Sequence, residues 1–115
     1  MHEVREELAR AAVKHANISE RQGKSQQECG KALENMDFAQ SVHGKVIEEC
    51  GLAAQKHAQA SRKHAKTAQN TKSVEEFAKA ANEHDRENQE HLKAIKEYGK
   101  VVRGWINNMS RRLNK

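Results

Sequence analysis

Residues recur every seven positions along most of this chain, and that repeat restricts the fold more than any other feature. One series of sulfur-containing and histidine residues runs beside a series of alanine and valine: Cys29, Met36, His43, Cys50, His57 and His64, flanked by Ala32, Ala39, Val46, Ala53 and Ala60. A second pair of series follows: Val74, Ala81, Asn88, Ile95, Val102 and Met109, flanked by Phe77, His84, His91, Tyr98 and Trp105. A sustained seven-residue repeat on two adjacent helices is typical of a coiled-coil-like antiparallel hairpin.

Two capping boxes mark helix starts. Ser25 is followed by Glu28 and Ser73 by Glu76, and each pair can satisfy two backbone amides at a helix N-terminus. Gly23 and Asn70 precede them, as residues that tolerate the left-handed conformation of a helix stop. The sequence therefore predicts a single helical domain over residues 1–115, with helix A at about 3–22, helix B at about 26–69 and helix C at about 74–112.

Composition favours narrow helices over a wide core. The 115 residues are 36% hydrophobic, include only four aromatic residues and contain no proline. Gly30, Gly44 and Gly51 fall on one stripe, where a second backbone can approach closely, and short connections make neighbouring helices antiparallel. We therefore expect an all-α, elongated antiparallel helical bundle in which a short helix A packs on a long B–C hairpin.

The sequence lacks the features of a membrane-spanning or secreted protein, and this indicates the cellular compartment. It has no run of 18 apolar residues, and its first ten residues are too charged for a signal peptide. Cys29 and Cys50 would lie about 31 Å apart on helix B, too far for a disulfide, which is typical of a reducing compartment. We expect a cytoplasmic protein that does not associate with membranes.

The histidine series raises the question of a metal or haem site. Residues seven apart on a helix are separated by about 10.5 Å along its axis, whereas two ligands of one ion on one helix need a spacing of three or four. If helix C folds back on helix B, residue i of B lies near residue 143 − i of C, which brings four polar side chains to a similar level: His57, His84, Asn88 and His91. We expect a polar layer there and no cofactor, with a His-lined metal or haem site as a minor alternative. Partial burial disfavours protonated histidine, so stability should fall below about pH 6.5.

Charge is segregated along the chain. Residues 55–72 carry five basic residues and no acidic one, residues 75–90 have a net charge of −4, and residues 93–115 have a net charge of +6. The first two stretches would lie side by side in the hairpin, where complementary charges can fix the register. The segments 56–72 and 96–115 also offer a basic surface for nucleic acid or another polyanion, formed by Lys56, Arg62, Lys63, Lys66, Arg103, Arg111 and Arg112.

The sequence contains no phosphate-binding glycine loop, no nucleophile elbow and no zinc-finger spacing, so we predict that the protein is not an enzyme. A short helix A would leave the distal half of the hairpin uncovered. Apolar residues there are expected to contact a second copy or another helical protein: Val46, Ile47, Ala53, Ala54, Phe77, Ala78, Ala81 and Leu92. The sequence therefore predicts a non-catalytic assembly or adaptor module, with nucleic-acid or polyanion binding as the alternative.

Overall fold

The computed structural model describes the backbone of residues 2–36 and 38–113 and the side chains of residues 6–36 and 40–113. The described residues form three helices, α1 (His2–Glu34), α2 (Phe38–Thr71) and α3 (Val74–Leu113). The bundle measures 67 × 21 × 17 Å, and its radius of gyration is 18.4 Å, compared with about 13 Å for a compact chain of this length. The predicted all-α, elongated antiparallel bundle is confirmed.

Both α1 and α3 pack along α2, whereas α1 and α3 approach each other much less closely. α2 is therefore the central helix, and the side of the bundle between α1 and α3 is the more open one. None of the helices in the described part of the chain is both long and apolar enough to cross a membrane.

The turn between α2 and α3 forms at the second capping box. Glu76 N donates to Ser73 Oγ at 3.3 Å, and Phe77 N donates to Ser73 O at 3.2 Å. Lys72, with φ of 58°, supplies the left-handed residue that ends α2, two positions after the predicted stop at Asn70. The predicted helix C agrees with α3 to within one residue.

The predicted boundary between helices A and B is wrong. α1 continues through Gly23 and through the capping box at Ser25, and it ends at Glu34, so the first helix has 33 residues. Its last turn closes with Asn35 N donating to Ala32 O at 3.3 Å and Met36 N donating to Leu33 O at 3.1 Å. Helix B then begins at Phe38 and not at residue 26.

Gly23 is part of the contact between α1 and α2 and does not stop a helix. A Cβ atom on Gly23 would lie 2.8 Å from the carbonyl oxygen of Gly51, and a Cβ atom on Gly51 would lie 2.5 Å from that of Gly23. Gly30 and Gly44 meet in the same way one heptad further along. Alanines extend this row at the same spacing, and all eight residues are buried: Ala9, Ala16, Gly23, Gly30, Gly44, Gly51, Ala58 and Ala65. Contact along this whole row outweighs the cost of each helical glycine, which is up to about 1 kcal/mol.

α3 packs on α2 through a different row. Ala80, Glu87, Ala94 and Val101 are buried at intervals of seven, and Val101 packs with Ile47 of α2 and Leu33 of α1. His57 of α2 lies 2.6 Å from Glu83 of α3. The predicted register places residue 86 opposite His57, so it is correct to within one helical turn.

Candidate functional site

The histidine series of α2 faces a glutamate series of α3. The Nδ1–Oε distances are 2.7 Å for His43–Glu97, 2.6 Å for His57–Glu83 and 2.6 Å for His64–Glu76. Because a carboxylate accepts and does not donate, Nδ1 carries the proton in each pair. Cys50 holds the corresponding position opposite Glu90, whose charge acts on its thiol. The glutamates also recur every seven residues, so the same spacing argument could have found them in the sequence.

Each of these glutamates also contacts a cation three residues later on α3. The four ion pairs have N–O distances of 3.1 to 3.3 Å: Glu76–Lys79, Glu83–Arg86, Glu90–Lys93 and Glu97–Lys100. The hydrogen bond from His64, and then that from Lys79, holds the pKa of Glu76 below its usual value. His43 and then Lys100 do the same for the pKa of Glu97. The stability gained from these two carboxylates is present above about pH 4.5 and is lost as pH falls below it.

Cys50 does not have the surroundings of a reactive thiol. Burial, followed by the nearby charge of Glu90, raises the pKa of Cys50 to about 11. The thiol is therefore protonated at neutral pH, whereas nucleophilic and metal-binding cysteines act as thiolates. In the described part of the chain, no three His, Cys, Asp or Glu side chains converge as ligands of one metal ion. The series of His43, Cys50, His57 and His64 therefore packs α2 against α3.

The predicted polar layer of His57, His84, Asn88 and His91 does not form as one group. His57 contacts Glu83, and His84 lies 3.3 Å from Glu87. Asn88 is exposed on the outer side of α3, because the face of α3 that meets α2 is the row containing Glu87. His91 instead turns toward α1, so the four side chains do not form one hydrogen-bonded group.

His91 is the buried member of the set. Its Nε2 lies 2.7 Å from Ser19 Oγ, and its Nδ1 lies 3.1 Å from Gln26 Oε1. Since the amide oxygen only accepts, Nδ1 donates to Gln26 and the Ser19 hydroxyl donates to Nε2. Burial, and then the charge of His84, lowers the pKa of His91. The expected loss of stability below about pH 6.5 therefore has a physical basis at His91.

The Ser19–His91 pair has the distance of a nucleophile and its base, but it lies inside the bundle. Both residues are only 6% exposed. Neither residue lines the groove near Val74 and Phe77 or the groove near Gln40 and Lys100. The serine hydroxyl is also used as the donor to His91, so the arrangement joins α1 to α3.

The most exposed apolar feature is a stripe along α3. Its positions alternate in steps of three and four, and we name it the α3 outer seam: Val74, Ala78, Ala81, Asp85, Asn88, Leu92, Ile95, Gly99, Val102, Ile106, Met109 and Leu113. Leu92, Ile95, Ile106 and Met109 are between 56% and 62% exposed, and Leu113 is 83% exposed. Such spacing is that of a coiled-coil seam, yet in this chain the seam faces solvent.

α1 carries a similar stripe beside it. Leu8, Ile18 and Met36 are each more than half exposed and belong to one series with steps of three and four: Leu8, Ala11, His15, Ile18, Gln22, Ser25, Cys29, Ala32 and Met36. The His15 ring lies 5.6 Å from the ring of His84 on α3. At one end of the bundle, residues of both helices line a groove of about 420 Å³: Leu8, Val74, Phe77, Ala78 and Ala81. The two stripes therefore border one surface, which we name the α1–α3 face.

The predicted partner-binding residues divide between this face and other places. Ala78, Ala81 and Leu92 are exposed on the α1–α3 face, and Phe77 lines its groove. Ile47 and Ala54, at 2% and 0% exposure, are core residues that no partner can reach. Val46 and Ala53 are partly exposed on α2.

The premise of an uncovered distal half was wrong because α1 has 33 residues and runs beside α2 over most of its length. The larger opening is along the side of the bundle between α1 and α3.

The predicted anion-binding residues form two separate clusters. Lys56, Lys63 and Lys66 are exposed on α2, and Arg103, Arg111 and Arg112 are exposed near the end of α3. In the antiparallel register the centres of these clusters are roughly 45 Å apart along the bundle at 1.5 Å per residue.

Arg62 belongs to neither cluster. Its guanidinium donates to Asn17 Oδ1 at 2.8 Å and to Glu20 Oε1 at 3.2 Å, so it joins α2 to α1. Hydrogen bonds from Gln59 and then from Arg62 hold the pKa of Glu20 below its usual value.

No family model, no curated protein and no solved structure matches this chain. The α1–α3 face is therefore interpreted from its own geometry.

Proposed function

We propose that the protein is a non-catalytic helical assembly module that binds a helix of a protein chain on its α1–α3 face. The observation that supports this most is the unbroken spacing of the α3 outer seam from Leu92 to Leu113, in which five large apolar side chains are exposed: Leu92, Ile95, Ile106, Met109 and Leu113. Seven consecutive positions at alternating steps of three and four are what a partner helix needs to insert its side chains between those of α3.

The α3 outer seam is not the surface through which α3 packs on the rest of the bundle. α3 already packs on α2 through Ala80, Ala94 and Val101, which are 1–2% exposed. The outer seam contributes little to that core, and full burial of each large aliphatic side chain contributes about 1.5–3 kcal/mol. Binding of a second helix to the α1–α3 face buries these side chains and gains that free energy.

The C-terminal part of α3 is the most open part of the face. Every residue from Trp105 to Leu113 is exposed, and in the register set by His43 and Glu97 the last turns of α3 extend beyond the start of α2. Ile106, Met109 and Leu113 therefore lie where a partner helix can approach without displacing any part of the bundle.

The edge of the seam indicates the charge of the partner. Lys96 follows Ile95 and Arg103 follows Val102, so both cations flank the seam on its outer side and both are exposed. Flanking charges in coiled coils pair with opposite charges on the other helix. The partner helix is expected to carry acidic residues beside its own apolar seam.

The test uses a synthetic four-heptad helix with leucine and isoleucine at alternating steps of three and four and glutamate at the flanking positions. Fluorescence anisotropy should show binding at micromolar concentration to nanomolar wild-type protein. Ile95→Glu should weaken binding by about 10- to 100-fold, since it removes one buried apolar contact.

The matched control is Val42→Glu, which places the same charge at a valine that is 53% exposed on α2. This variant should bind the peptide nearly as well as wild type. Equal loss in both variants, or no binding to wild type, would show that the α1–α3 face is not a helix-binding surface.

A further inference from the structure

We infer that the helix on the α1–α3 face is α3 of a second copy of the chain, antiparallel to the first. This inference rests on the proposed function and names its partner. Two properties of α3, the sizes of its seam residues and its charge distribution, each favour an antiparallel copy.

Seam residues are small in the first half of α3 and large in the second. When Leu92 lies opposite Ile95 of the second copy, the antiparallel register places Ala81 opposite Ile106, Ala78 opposite Met109 and Val74 opposite Leu113. Large side chains then fill the space left by small ones, as close packing requires. A parallel pairing sets alanine against alanine and methionine against methionine, which leaves gaps at one end and crowding at the other.

Exposed charged side chains are also distributed unequally between the two halves of α3. Four of the six acidic residues of 75–90 face α2 or lie in the core, and in an antiparallel pair the two that are exposed, Glu75 and Asp85, lie toward the basic second half of the other copy. Asp85, the exposed carboxylate within the seam, comes beside Arg103 of the second copy, and Glu75 comes beside Arg112. A parallel pairing would instead bring the basic second halves of the two helices together, which costs free energy.

The surface on offer is large enough for a stable pair. Val74, Leu92, Ile95, Ile106, Met109 and Leu113 are each more than half exposed. If each contributes on the order of 100 Å², two copies bury about 1,200 Å² from these residues alone, which is the lower end of the range for specific interfaces. The α1 stripe flanks the same face, so α1 of each copy adds to the contact.

The first measurement is the mass of the full chain by analytical ultracentrifugation at micromolar to tens of micromolar concentration. Wild type should sediment at twice the 13.0 kDa of one chain, Ile95→Glu should shift to the mass of one chain, and Val42→Glu should remain a dimer. Circular dichroism checks that each variant keeps its helix content, since both replaced side chains are exposed.

The second measurement determines whether the two α3 helices are antiparallel or parallel. It leaves Leu92 and Ile95, at the centre of the seam, unchanged. The native cysteines are first removed by Cys29→Ser and Cys50→Ala. Two proteins are then made in this background, one with Ala81→Cys and one with Ile106→Cys, and they are oxidised separately and as a mixture. Because positions 81 and 106 differ by about 38 Å along the helix, only the mixture should form a covalent dimer. Rapid disulfide formation by Ala81→Cys alone would show a parallel pair and overturn the inference.

The two proposals fail in different ways. A wild-type chain that stays at the mass of one copy and still binds the synthetic helix would overturn the second copy as partner and leave the helix-binding function intact. A chain that neither associates nor binds the peptide would overturn both.

Discussion

Glu87 is the most deeply buried acidic side chain on α3. It is 0% exposed; His84 contacts its Oε2, and its Oε1 has no hydrogen bond to the described residues. Burial raises the pKa of Glu87 despite the hydrogen bond and the charge of His84, which act to lower it. A buried carboxylate with too few donors lowers stability, although the contacts that it makes help to fix how neighbouring helices pack.

Glu87→Gln should therefore raise the free energy of unfolding by about 1–2 kcal/mol at pH 8, because it removes the buried charge and keeps the side-chain size. A carboxyl group whose folded pKa is raised lowers stability once it ionises, so the advantage of glutamine should shrink as pH falls toward 4.5. Urea denaturation at pH 8 and pH 5 measures both effects.

Glu49→Gln is the control for this prediction, since Glu49 is exposed on α2, and it should change stability by less than about 0.5 kcal/mol. A loss of stability in Glu87→Gln of equal size at both pH values would mean that the contacts of the carboxylate outweigh its desolvation.

At the scale of helices, the sequence predicted α3 and the turn before it but misplaced the end of α1. Ser73 and Ser25 have the same local signature, a serine three residues before a glutamate. What separates them is a contact distant in sequence, because Gly23 meets Gly51 and keeps α1 continuous past Ser25. Local spacing cannot show such a contact until the pairing of the helices is known. The glutamates opposite the histidines are different, since their seven-residue spacing was visible in the sequence.

The close contact of α1 and α2 can be tested with one glycine substitution. A Cβ atom on Gly51 would lie 2.5 Å from Gly23 O and 2.6 Å from Gln27 N, both backbone atoms that cannot turn aside. Gly51→Ala gains up to about 1 kcal/mol of helix propensity, but separating the helices should cost more, for a net loss of about 1–3 kcal/mol. Chemical denaturation followed by circular dichroism measures the change.

Gly104→Ala is the matched control, because a Cβ atom there meets nothing within 4 Å. It should raise stability by about 0.5–1 kcal/mol through propensity alone. If both variants gain stability, the helices can separate at no cost and the glycine row does not hold α1 against α2.

At the scale of the whole molecule, the chain is a rod with one central helix and one open side. The sequence predicted an exposed apolar surface for association, but it placed part of that surface on Ile47 and Ala54, which are core residues. That error followed from the length assigned to helix A. Ala78, Ala81 and Leu92 are exposed as expected, because their positions depend only on the correctly predicted α3. The full stripe on α1 was not visible in the sequence, since residues 26–34 of this helix were assigned to helix B.

The shape of the rod also sets how it can bind a polyanion, the alternative to helix docking. The centres of the lysine cluster on α2 and the arginine cluster on α3 are roughly 45 Å apart at 1.5 Å per residue, so a short duplex contacts one cluster at a time. Three neutralised phosphates give a slope near −3 for log affinity against log salt, at about 0.9 per phosphate. Binding to a random duplex of one helical turn should therefore be weak, insensitive to sequence and lost by about 200 mM salt. Changing Lys56, Lys63 and Lys66 to glutamine should remove the α2 contribution and leave the mass measured by sedimentation the same as that of wild type. Sequence-selective binding that persists at 200 mM salt, with a slope near −6, would instead show that both clusters act on one nucleic acid and that polyanion binding is the principal function.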